Sequence, residues 1–372
     1  MGRARRDLSS QPPSAAQATV PDQRLLPSDP LHLPSALGRV EDLCRRIRGA
    51  VRGRMRAAIA AGDADRLARP ASVGAGDVTF GIDVAAEEAT SAWLLDEARR
   101  GPLSVLTEDM GWRHLGPGPT PGDAPVELPG FDHGGPRIAI DPIDGTRNLM
   151  FDLRGAWTVV SYAEPGAGAP RLADVCIGVV SELPDSRGAH YRALTAVRGS
   201  GCTAAVRALG DDLVQRDGAL LVDGSDRADH GYFPFFGYHP EQRAALQRLA
   251  GAFFARLAEH ESAEIAHCYD DQHISSGGQL ALLALGHYRM VVDARQFWNE
   301  RRKARLQTAK PYDVAGAILV AREAGAVVTR TDGGQLDFPL DVTTPVEFVG
   351  FHNPATGARL WPHLEAALAD WA

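Results

Sequence analysis

Cysteine is scarce in this chain of 372 residues. The four present, Cys44, Cys176, Cys202 and Cys268, lie too far apart for a CxxC pair. Their spacing gives no disulfide frame and points to isolated thiols in a reducing, cytoplasmic compartment. The twelve histidines form no HxxxH or HxH pair, so the sequence supports no zinc site. No apolar run reaches the length needed to span a bilayer, so no membrane partner is expected. Basic residues are not in excess either. The formal net charge is −8, opposite in sign to that of a typical nucleic-acid binder. P-loop and Gly-x-Ser-x-Gly patterns are absent, which removes two common nucleotide-binding and hydrolase readings.

What remains is an ordinary globular composition, 44% hydrophobic and 23% charged. The length suits one large or two closely packed domains. Residues 1–35, rich in Ser, Pro, Ala and Gln, read as a disordered leader. They lack the apolar core of a secretory signal, and Asp7 and Asp22 argue against a transit peptide. Leu37, Val40, Leu43, Ile47, Val51, Met55 and Ile59 then recur at helical spacing until Gly62. Residues 71–77 read as a loop, and Asp83 as the N-cap of a second helix that stops at Gly101. Strands are expected at 104–106, 137–140, 157–162 and 174–180, with a Gly- and Pro-rich surface loop over 116–135. Beyond 181, strands are expected near Tyr191, Leu220, Ala326 and Val346 and over 288–293. Helices are expected over 241–258, 277–285 and 312–324, the last stopped by Gly325. Such a mixture indicates a layered α/β or α+β architecture.

The strongest local signal is Asp141-Pro142-Ile143-Asp144-Gly145-Thr146, directly after an apolar strand. Pro142 stiffens the turn between the two carboxylates, and Gly145 lets backbone approach a ligand. If a helix starts at Gly145, its free N–H groups face whatever the carboxylates hold. Acids beside free N–H groups suit a cation and an oxyanion together, as in a metal-bound phosphate. The hexapeptide does not fit an EF-hand, whose glycine is sixth and whose twelfth residue is Glu. Pro142 occupies the place where a phosphatase that forms a phospho-aspartate would need its Asp spacing. Alone, the hexapeptide could also be an Asx-turn that shapes a loop. Two further acids stand at suggestive places. Glu108-Asp109 follows a strand, where a lone acidic pair is ordinarily a solvated loop. Asp313, in Pro311-Tyr312-Asp313-Val314-Ala315-Gly316, opens a helix, where Asp is a common cap.

Together these pieces resemble the inositol monophosphatase family, in a superfamily with fructose-1,6-bisphosphatases and 3′(2′),5′-bisphosphate nucleotidases. The central signature stands as IAIDPIDGTRN and the C-terminal one as PYDVAGAILVAREAG, in the right order. The resemblance covers about residue 35 to the end and is far more specific for the superfamily than for the substrate. It implies an α-β-α-β-α layered fold, with an N-terminal metal-binding part at 36–181 and a C-terminal part at 182–372 completing the site. It implies two to three Mg²⁺ ions held by Glu108, Asp141, the carbonyl of Ile143, Asp144 and Asp313. Thr146 and Asp83 would orient the attacking water, Glu108 would help take its proton, and the N–H groups of Gly145 and Thr146 would hold phosphate. The implied activity is hydrolysis of a phosphate monoester on a small polyol or sugar. A homodimer is suggested by the resemblance alone.

The sequence departs from the family pattern in the acidic pair, here Glu108-Asp109, and in Tyr312, where many members have Trp. A basic stretch over 294–310 precedes the last metal ligand. Its arginines could grip a second phosphate, which would make the chain a bisphosphate nucleotidase or sugar bisphosphatase, or they could form a solvated loop. Asp293 and Ser276 are candidate substrate contacts, against readings as a strand-end acid and a helix N-cap. A rival of another class is a catalytically silent protein that binds a phosphorylated metabolite.

Overall fold

The computed structural model describes residues 33–73, 78–108, 110–260 and 267–371. The leader expected over 1–35, and Asp109, lie wholly or largely outside them. The first described element, α1 (Leu33–Ala60), buries Val40, Leu43, Ile47, Val51 and Met55 on one stripe, as the spacing predicts. Ile59 falls off that stripe and is exposed. Of the loop expected over 71–77, residues 71–73 belong instead to strand β1 (Pro70–Val73), which pairs antiparallel with β2 (Val78–Phe80), and 74–77 lie outside the described residues. The second helix, α2 (Asp83–Arg100), starts and stops where expected. Asp83 is its first residue rather than its cap, because Ile82 already has helical backbone angles.

Nine strands follow: β3 (Leu103–Thr107), β4 (Gly111–Gly116), β5 (Val126–Glu127) and β6 (Arg137–Asp144), then, past the one-turn helix α3 (Thr146–Leu149), β7 (Ala156–Ala163), β8 (Val175–Leu183), β9 (His190–Val197), β10 (Gly201–Ala208) and β11 (Val214–Leu220). They form one sheet in the order β11-β10-β9-β8-β7-β6-β3-β4-β5. The part boundary drawn at 181/182 falls inside β8, and the sheet runs on to Leu220. Strands β4 and β5 fall in and beside the segment read as a loop.

The rest of the chain adds β12 (Gly231–Tyr232), α4 (Pro240–His260), β13 (Cys268–Tyr269), α5 (Ser276–Ala284), β14 (Met290–Asp293), α6 (Arg295–Arg302), α7 (Pro311–Glu323), β15 (Val327–Thr329), β16 (Phe348–Phe351) and α8 (Pro354–Asp370). The basic stretch over 294–310 is thus partly helical. The chain ends on a long helix that follows the two expected short strands. Helices α1 and α2 cover one face of the large sheet, and α5 and α7 the other. A small sheet, β14-β16-β15, lies on α5 and α7, and α4 and α8 close its far side. This is the expected α-β-α-β-α layering. Three buried apolar clusters fill the spaces between the layers.

The central helix α7 is apolar nearly all round, because it is sandwiched between two sheets. It reaches the large sheet through glycine. A Cβ on Gly316 would sit 2.2 Å from the Val160 carbonyl oxygen, and one on Gly178 2.3 Å from the Gly316 carbonyl oxygen. Only the glycine pair allows so close an approach, and it fixes where the start of α7, with Asp313, meets the end of β6. Among the described residues, no helix is long and apolar enough to cross a membrane.

Candidate active site

Strand pairing assembles the acids. Strands β3 and β6 are parallel, with Leu106 opposite Ala139. Glu108 and Asp141, each two residues further on, therefore come to the same end of the two strands. Asp141 and Asp144 are three residues apart and would face opposite sides of a regular strand. A bulge cures this: Asp141 pairs with Val159 and Asp144 with Trp157, so three steps on β6 match two on β7. Both carboxylates then reach one cavity of about 470 Å³, which Glu108, Ile143, Gly145, Thr146, Ser276 and Asp313 also line. A smaller adjoining cavity of about 160 Å³ shares Glu108, Asp141, Ile143 and Thr146 and adds Asp83 and Glu87.

Each acid is held by its own local structure. The Asp141 carboxylate accepts the Ile143 N–H at 2.9 Å. Asp144 accepts the Ser275 hydroxyl at 2.7 Å and the N–H groups of Ser276, Gly277 and Gly278 at 3.2, 2.6 and 3.2 Å. It thus caps the start of α5 from another layer of the fold, where the helix dipole favours negative charge. Asp313, third in α7, accepts the Lys310 N–H at 2.8 Å. Gly145 has φ 100°, and a Cβ there would meet the Ile274 carbonyl oxygen at 2.7 Å, so the turn into α3 requires glycine. Thr146 donates its hydroxyl hydrogen to Asp83 at 2.7 Å or to the Ile143 carbonyl oxygen at 3.1 Å. The other Asp83 oxygen accepts the Phe80 N–H at 2.8 Å.

The charges repel. Burial first, then the charges of Asp144, Asp313 and Glu108, push the Asp141 carboxyl well above the usual carboxylate range. Burial, then Asp144 and Glu108, do the same to Asp313. Burial also raises Asp144, against its four hydrogen bonds. A bound cation would relieve this strain, and carboxylate and carbonyl oxygens are hard donors. Asp141, Asp144 and Asp313 do not form a tight three-ligand group. Among the described residues, the one His/Asp group whose ligand atoms all lie within 4.8 Å of one another is elsewhere, at Asp229, His230 and His267. A wider carboxylate spacing suits an ion that keeps several of its waters.

Comparison with known proteins agrees with this geometry. No protein-family model matches the chain. It is 24% identical over 288 residues to a fructose-1,6-bisphosphatase/inositol-1-monophosphatase of Methanothermobacter thermautotrophicus, covering 76% of this chain and 82% of that one. It is 25% identical over 264 residues to an inositol-1-monophosphatase of Aeropyrum pernix, covering 70% and 77%. The chain is a phosphatase, similar over most of its length to inositol monophosphatases and fructose-1,6-bisphosphatases. Its fold is similar to that of the solved Leishmania major fructose-1,6-bisphosphatase, with a TM-score of 0.60 at 12% identity, over 92% of this chain and 96% of that one.

Of the two expected substrate contacts, Ser276 lines the larger cavity and Asp293 does not. Asp293 lies outside both cavities, buried, in a 2.6 Å ion pair with Arg295. Arg295 also donates to the Ser276 hydroxyl at 3.1 Å and lies over the Phe236 ring. The phosphatase therefore presents Arg295, not Asp293, to the larger cavity. Arg301, Arg302, Lys303 and Arg305 are exposed and line neither cavity. Sequence reasoning missed Arg147, which lines both cavities and stacks near the Phe80 and Tyr238 rings. Its one signal was its place directly after the Asp-Gly-Thr turn. Phe236 and Tyr238 come from an aromatic run, YFPFFGY, that carries no recognisable motif.

Proposed function

We propose that this phosphatase hydrolyses a phosphate monoester of a small polyol or sugar, with inositol phosphate as the type case, and that Mg²⁺ is its metal. The observation that carries the reading is the convergence of Glu108, Asp141, Asp144 and Asp313 on one cavity that also holds Thr146. Glu108, Asp141 and the Ile143 carbonyl would hold one ion, and Asp141, Asp144 and Asp313 a second, with a third against Glu108. Bound Mg²⁺ supplies charge neutralisation of phosphate and acidification of water at neutral pH. The protein's own groups position the rest. While Thr146 donates to Asp83, its hydroxyl oxygen is left to accept a hydrogen from the attacking water, which fixes the direction of that water's lone pair. Glu108 accepts the water's proton. The N–H groups of Gly145 and Thr146 meet the phosphate oxygens.

A sugar bisphosphate is the second reading. It is favoured by Arg147, Arg295 and Lys310, which line the same cavity as the carboxylates. One experiment separates the readings: phosphate release with Mg²⁺ from inositol 1-phosphate, fructose 1,6-bisphosphate, 3′-phosphoadenosine 5′-phosphate and sugar monophosphates. Preference for a monophosphate supports the first reading. Turnover restricted to bisphosphates, and lost in Arg147→Ala, supports the second. Tight binding of these compounds without turnover would make the chain a binding protein instead. The four free thiols suit a cytoplasmic location, and a homodimer is our expectation for its assembly.

A further inference from the structure

We propose that Asp229, His230 and His267 form a second metal site, selective for a transition-metal ion of the zinc class and separate from the catalytic cavity. Strands β12 and β13 pair in parallel, with Gly231 opposite Cys268. The residues just before each strand, His230 and His267, therefore emerge side by side from chain segments far apart in sequence. Their ring centroids are 4.3 Å apart at an interplanar angle of 41°. Asp229 Oδ1 lies 3.1 Å from His230 Nδ1. One ligand atom from each of the three residues falls within 4.8 Å of the other two. Four-coordinate zinc with bonds of about 2.0–2.1 Å holds its ligands about 3.4 Å apart, so modest side-chain rotations close the group on an ion.

The donor set differs in kind from the catalytic one. Two imidazoles and one carboxylate favour zinc-class ions, whereas the all-oxygen cavity favours Mg²⁺. None of the three residues lines either catalytic cavity. The His230 side chain is 47% exposed and that of Asp229 25%, so an ion has a path in and a water can take the fourth position. Arg227, 3.3 Å from Asp229, is the cation that the ion would displace. Bound there, the ion clips the segment ahead of β12 to the segment ahead of β13.

The test uses the untagged full-length protein with Mg²⁺ in excess, so that the carboxylate cavity is occupied. Zn²⁺ is titrated by calorimetry, and the Zn²⁺ complex is examined by X-ray absorption. The expected result is one tight equivalent of Zn²⁺ with imidazole scattering. Both should be lost, or the affinity weakened at least about tenfold, in His230→Gln and in His267→Gln. The variants should keep wild-type Mg²⁺-dependent activity and wild-type melting in EDTA, which shows that they fold. Zn²⁺ uptake that the variants leave unchanged would place the ion on other groups and overturn the proposal. So would no uptake under Mg²⁺ saturation.

Discussion

The Thr146 hydroxyl lies 2.7 Å from a carboxylate oxygen of Asp83 and joins the turn after β6 to the first residue of α2. In the proposed mechanism the bond leaves the Thr146 oxygen to accept from the attacking water. We expect Thr146→Val and Asp83→Asn each to lower kcat by roughly 10²- to 10⁴-fold, with little change in KM. The double variant should be no slower than the worse single one, because the two act as a unit. Steady-state phosphate release checks this, and multiplicative losses would contradict it.

Asp144 has a second task that Asp141 lacks, since it accepts the first N–H groups of α5. Asp144→Ala should cost roughly 2–4 kcal/mol of stability in EDTA, the loss of a cap together with unmet buried donors. Asp141→Asn should instead stabilise the metal-free protein slightly, because it removes a charge that burial and three neighbouring acids disfavour. Urea melts of both variants without metal separate the two roles.

Much of this was legible in advance. The two signatures located Asp141, Asp144 and Asp313 by residue, and helical periodicity located α1, α2 and α7. The parity problem between Asp141 and Asp144 was not legible, because only the pairing with β7 reveals the bulge. The setting of Asp293 was not legible for a similar reason. Its partner Arg295 is only two residues away, yet sequence gives no sign that the pair turns inward and closes on itself. The aromatic wall at Phe236 and Tyr238 arrives from a distant loop without periodicity. The neighbourhood of His230 and His267 depends on a two-residue parallel pairing that no spacing rule can reveal.

His273 gives the fold a defined acid limit. It is buried, with Nε2 3.3 Å from the Trp157 indole nitrogen that donates to it. Burial, helped by Arg154, pushes its pKa from 6.5 down to about 4. Because the folded value is depressed, its stabilisation is complete above pH 6.5 and is lost as pH falls towards 4. The size is on the order of 3 kcal/mol. His273→Gln keeps an acceptor for Trp157 and cannot take up the proton. Its stability should be flatter than wild type across that window, as read by urea melts at stepped pH.

The Gly316 contact predicts a mechanical effect on the site. Gly316→Ala places a Cβ 2.2 Å from the Val160 carbonyl oxygen, so α7 must move off the sheet. Stability should fall by about 1–3 kcal/mol. The Mg²⁺ concentration for half-maximal activity should rise, because Asp313 moves with the helix. An unchanged Mg²⁺ requirement would show that the start of α7 is positioned independently of Gly316.

The most direct measurement is phosphate release from inositol 1-phosphate and from fructose 1,6-bisphosphate as a function of Mg²⁺, for wild type, Asp141→Asn and Asp313→Asn. The account predicts saturable, Mg²⁺-dependent turnover of at least one compound by wild type, and its loss in both variants while they remain folded. Turnover that persists in both variants, or that needs no divalent ion, would contradict the assignment of these carboxylates as the metal-holding centre.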